Sequence, residues 1–144
     1  MLERDYIRRL IRQFFEELEK LRDKQRNDAY SSTYQCEVNS MYRAYLGHPA
    51  SFFYEQDAEF ILQTLASELS AEQIVQRLEM LADLLYFDAS GSDCSEDLKK
   101  DLWNKALFMY DYVDRHSDTF SFERRGKMTV LKEKVHESGL LMII

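Results

Sequence analysis

The stretch Asp5-Tyr6-Ile7-Arg8-Arg9-Leu10-Ile11-Arg12-Gln13-Phe14-Phe15-Glu16-Glu17-Leu18-Glu19-Lys20-Leu21 decides the fold class. Its apolar residues Ile7, Leu10, Ile11, Phe14, Leu18 and Leu21 recur at steps of three and four, the spacing that lines one face of a helix. The spacing predicts a first helix from about Asp5 to Lys24, with Asp5 placed favourably near its N-terminal dipole.

The same period continues along the chain. A stripe of Tyr34, Val38, Met41, Tyr42 and Tyr45 ends at Gly47-His48-Pro49, where glycine can take the left-handed cap and proline blocks continuation. Ser51 can cap a third helix carrying Ala58, Ile61, Leu62, Leu65 and Leu69. Ser70-Ala71-Glu72-Gln73 has the form of a capping box and opens a fourth, with Ile74, Leu78, Leu81, Ala82 and Leu85 on one side. Ser90-Gly91-Ser92-Asp93 reads as a loop. A fifth helix, roughly Ser95 to His116, carries Leu98, Leu102, Ala106, Met109 and Val113, and its second half is apolar nearly all round, the mark of a central helix. Thr119 or Ser121 can cap a sixth helix with Met128, Leu131 and Val135 on one face, and Gly139 then releases the tail Leu140 to Ile144.

One proline and four glycines in 144 residues leave little of the turn chemistry that strands need. The expected fold is therefore all-α, about six amphipathic helices stacked as antiparallel hairpins in a tetratricopeptide-like array or a bundle. A chain of this length and 45% hydrophobic content fits a single helical domain, 1–144, with one core and no linker.

Net charge of −7 repels phosphate and anionic lipid at long range, so nucleic acid is disfavoured as a partner and no membrane partner is expected. The charge is uneven. Met1 to Asp28 hold eight basic and seven acidic side chains, a net of +1, which leaves −8 on the other residues. An anion site is therefore to be sought near the N-terminus. Cys36 and Cys94 lie far apart with no C-x-x-C, and the opening Met1-Leu2-Glu3-Arg4-Asp5 is charged where a signal peptide needs an apolar run. A soluble, cytoplasmic protein with reduced thiols is the expectation.

Three groups of residues, Arg4 to Phe14, Leu78 to Tyr86, and Lys105 to Asp114 followed by Thr119 to Arg124, lie in order over most of the chain. Together they resemble a bacterial family of small helical proteins of unknown function with tetratricopeptide-like folds. The resemblance implies the fold and no activity.

The chain lacks the nucleophile-elbow, phosphate-loop, dinucleotide and H-E-x-x-H motifs, and His48, His116 and His136 share no ligand spacing, so no cofactor and no metal are expected. Asp83, Asp88, Asp111 and Asp114 lie beside apolar helix faces and read as solvated acids, although two brought close would suit acid–base work. Arg4, Arg8 and Arg12, with Arg9 adjacent, form a basic ridge able to hold a carboxylate or phosphate, or to pair with acids such as Glu16 or Glu123. The abundant tyrosines suggest core packing, or a concave recognition face shared by Tyr42, Tyr45 and Tyr110.

The expected function is a non-catalytic protein- or peptide-binding interaction module, with Arg4, Arg8, Arg12, Tyr42, Tyr45 and Tyr110 as partner-binding residues and no catalytic ones. The alternative is a small-ligand-binding protein or enzyme with an acidic and aromatic pocket inside the bundle. The apolar tail Leu140 to Ile144 suggests intramolecular capping, or homodimerisation through a second copy.

Overall fold

The structure, a computed structural model, describes the backbone of residues 2–26, 32–91 and 95–143, and the side chains within these ranges except at 2, 3, 26, 32–34 and 137–143. Seven helices and no strand occur among the described residues: α1 (Leu2–Arg26), α2 (Ser32–Leu46), α3 (Ala50–Glu55), α4 (Ala58–Glu68), α5 (Ile74–Ala89), α6 (Glu96–His116) and α7 (Phe122–Ile143).

Local chemistry explains most of the boundaries. Gly47 follows α2 with φ of 77° and donates its N–H to Arg43 O, the left-handed stop that glycine adopts without a Cβ penalty. Ser95 caps α6 by accepting from Leu98 N, and Ser121 Oγ accepts from Arg124 N at the start of α7.

Three expectations are corrected. The single third helix is two, because residues 56–57 leave helical geometry and Asp57 caps α4 on Phe60 N. The expected capping box leaves residues 71–73 outside α5, and Gln73 Oε1 accepts from Arg77. Helix α7 runs through Gly139 to Ile143 rather than stopping there. The side chains of the tail Leu140 to Ile144 lie outside the described residues.

Helix α5 stands at the centre. From Leu78 to Phe87 its residues are buried except Glu79 and Tyr86, both half-buried, so it, more than α6, is the helix enclosed on all sides. Its most extensive packing is against α6; α2 and α1 cover its other flank, and α3 and α4 rest on α6. Paired contacts fix the directions: Tyr42 with Asp88 and Tyr45 O with Arg77 set α2 antiparallel to α5, and Asp114 with Arg124 and Trp103 with Lys134 set α7 antiparallel to α6. Neighbours in sequence are thus not always principal neighbours in space, since α4 packs on α6 and α2 reaches α5. The core joins Phe14 and Leu18 of α1, Tyr42 of α2, Phe53 of α3, Ile61 and Leu65 of α4, most of α5 and the Leu102–Val113 stripe of α6.

Candidate functional site

The basic ridge is where the sequence places it and is unneutralised. Arg4, Arg8, Arg9 and Arg12 are exposed on α1, and among the described residues none of them takes an ion pair or a side-chain hydrogen bond. The intramolecular alternative is corrected: Glu123 pairs with Lys127 of its own helix, not with α1. Phe15, 43% exposed, stands three residues beyond Arg12 and seven beyond Arg8, so an apolar ring follows the row of arginines on one side of the helix.

The ridge borders an open cavity of about 1080 Å³ at one end of the bundle. Helix α1 contributes Arg4 and Arg8 together with Ile7 and Ile11, and the approach to α5 contributes Glu72, Val75 and Gln76. The α6–α7 turn closes the third side with His116 and Asp118. Arg12 stands outside it. The lining holds no Phe, Tyr or Trp, so this space is not the acidic and aromatic pocket inside the bundle that the alternative reading requires.

The three tyrosines do not share an accessible face. Tyr42, Tyr45 and Tyr110 are 0%, 4% and 1% exposed, which corrects their assignment to a partner-binding surface: their rings are core, and the hydroxyls of Tyr42 and Tyr110 serve Asp88 and Asp83. Tyr42 stacks on Phe53 with centroids 5.1 Å apart, and its hydroxyl donates to Asp88 at 2.8 Å. Tyr110 donates to Asp83. Burial and the Asp83 charge push the Tyr110 phenol well above its ordinary value, and burial beside Glu17 raises that of Tyr45.

The acids expected to be solvated are for the most part built into the interior. Asp83 accepts from Tyr110 and pairs with Lys127 Nζ at 2.9 Å. Asp88 accepts from Tyr42 and from Tyr54 at 2.5 Å; burial raises its carboxyl above the usual range and the two phenols offset only part of that. Arg124, 3% exposed, spans Asp114 at 3.2 Å and Glu79 at 3.3 Å and donates to Thr119 O. Burial pushes the Asp114 carboxyl up, yet Arg124 and Arg125 together hold it below its ordinary value. Burial raises Glu79 despite Arg124. Only Asp111 keeps to a surface pair, with Arg115.

Each of these acids is thus satisfied by a phenol or a cation, and among the described residues no free nucleophile or oxyanion-binding loop stands beside them. They hold helices together. The signal for this lay in the sequence, since Asp83 interrupts the otherwise apolar run Met80 to Phe87 and a carboxylate there meets packed neighbours on every side.

Sequence reasoning also missed Gln76, Asp118 and Glu72, which come to one cavity only where α1, α5 and the α6–α7 turn meet. Gln76 Oε1 is a buried acceptor without a hydrogen-bond partner, the only such side-chain atom among the described residues. Its neighbour His116 stacks on Tyr112 with centroids 3.9 Å apart; Nδ1 lies 2.8 Å from Tyr112 O and must donate there, because a carbonyl only accepts. His48 pairs with Glu68 and His136 is exposed. No group of three His, Cys, Asp or Glu able to hold a metal ion occurs among the described residues, and none of their helices is long and apolar enough to cross a membrane. Comparison of the chain with family models, curated proteins and solved structures finds no match.

Proposed function

We propose that the protein is a non-catalytic interaction module that binds an acidic, partly apolar segment of a protein partner along the exposed side of α1. The observation that carries this reading is the set of four exposed arginines unpaired among the described residues, in a chain whose other residues carry a large acidic excess. Acids are abundant on this protein, and a ridge needed only for stability would be paired with them. Guanidinium forks suit carboxylates, and Phe15 beyond Arg12 supplies an anchor for an apolar side chain of the partner. The setting this reading assigns is the cytoplasm.

The test is capture of partners from native lysate by the protein and by an Arg4→Ala, Arg8→Ala, Arg12→Ala variant of unchanged helicity, followed by titration of the captured protein. Three charge-assisted contacts at about 1 kcal/mol each predict a loss of about a hundredfold in affinity, and elution at high salt. A partner held equally by both proteins, or none held at low salt, would overturn the reading.

A further inference from the structure

The cavity between α1, α5 and the α6–α7 turn carries a second inference that goes beyond docking along α1, although Arg4 and Arg8 serve both. Charges of both signs face it, Arg4, Asp5 and Arg8 on one wall and Glu72 and Asp118 on the others, and among the described residues none of these five takes an ion pair or a side-chain hydrogen bond. Opposite charges that share a cavity without neutralising one another stand ready for a ligand that bears both. Gln76 lines the same cavity, and its Oε1 is a buried acceptor with no hydrogen-bond partner among the described residues. Ile7, Ile11 and Val75 supply apolar wall between the charged groups.

This lining selects by exclusion as well as by fit. A polyanion such as a nucleotide meets Glu72 and Asp118, a simple amine meets two arginines, and a hydrocarbon would strand every polar group. A volume of about 1080 Å³ at the mouth of the bundle exceeds what one amino acid fills. We propose that the cavity binds a short zwitterionic peptide, its free carboxylate held by Arg4 and Arg8 and its ammonium by Asp118 and Glu72.

The test uses the tripeptide Leu-Ala-Leu, its N-acetyl derivative and its C-terminal amide, titrated into the full chain while side-chain and backbone amide resonances are followed. The free tripeptide should shift the Gln76 side-chain amide and the Val75 backbone amide saturably, and each blocked form should bind about tenfold more weakly or worse. Arg4→Ala with Arg8→Ala should bind the free tripeptide and its amide equally. Asp118→Asn should remove the preference over the N-acetyl form. Absence of a saturable shift at about 10 mM, a decade above a 1 mM dissociation constant, or equal binding of the blocked forms would overturn the proposal. Arg12→Ala and Phe15→Ala should leave the tripeptide isotherm unchanged while weakening partner docking, so the two readings fail separately.

Discussion

Asp88 is a carboxylate held where water is scarce, and its two phenol partners do not fully offset the loss. An aspartate raised in the folded state binds its proton more readily there than in the unfolded chain. Its stabilising contribution is complete below the ordinary carboxylate value of about 3.9 and is lost as pH rises through the folded value. Asp88→Asn keeps an acceptor for both hydroxyls and removes the ionisation. The variant's unfolding free energy, relative to the native protein, should therefore increase between about pH 4 and pH 7 in urea titrations. A difference that stays constant or shrinks would show that Asp88 is not penalised by burial. Asp114 behaves with the opposite sign: its lowered carboxyl stabilises above the ordinary value and loses that contribution as acid titrates it. The periodicity made the apolar partners of these residues legible. It did not make the buried acids legible, because a helical stripe records which positions are apolar and says nothing of what faces a polar one from another helix.

Helix ends show a second use of buried charge. Arg77 Nη1 donates to Tyr45 O at 2.6 Å beside the end of α2, and Lys105 Nζ donates to Phe53 O and Tyr54 O at 2.8 and 3.1 Å at the end of α3. A cation at the C-terminus opposes the negative end of the helix dipole and satisfies carbonyls that have no intrahelical donor. Lys105→Met retains the packed stem and strands two carbonyls, which should lower stability by about 2 kcal/mol and speed amide exchange in α3 more than in α1. Gly47→Ala forces a Cβ into the left-handed region and should cost about 1 kcal/mol in the same unfolding assay, although nothing crowds that position. Boundaries written in local chemistry, such as Gly47, Ser95 and Ser121, are readable from sequence. The break at 56–57 and the late start of α5 are not, because Lys105 from α6 secures the end of α3 and Gln73 is engaged by Arg77.

Over the whole molecule, the α1, α2, α5 and α6 contacts are chiefly apolar, whereas the described side chains of α7 are attached largely through charge. Of its described residues, Met128 and Leu131 are the buried apolar ones, and the rest of the attachment is Arg124 to Asp114 and Glu79, Arg125 to Asp114, Lys127 to Asp83, and Lys134 over the Trp103 ring. Arg124→Met leaves two carboxylates without their guanidinium. It should cost about 2 kcal/mol, below the figure for a fully buried pair because Glu79 reaches water. Urea unfolding of the variant reads that loss. All-α architecture follows from period and composition. The order in which helices pack does not, since it depends on which of several similar apolar stripes meet, and so α2 rather than α4 came to lie on α5.

The charged attachment of α7 also sets the order in which the molecule comes apart. Salt weakens ion pairs that water can reach and strengthens apolar burial, so the two halves of this protein respond to it in opposite directions. Moderate salt should hasten amide exchange along α7 while leaving α5 protected, making the last helix a separable unit that opens ahead of the core. Its release would bare Asp83 and Tyr110 to solvent and leave the remaining helices a folded, more acidic body.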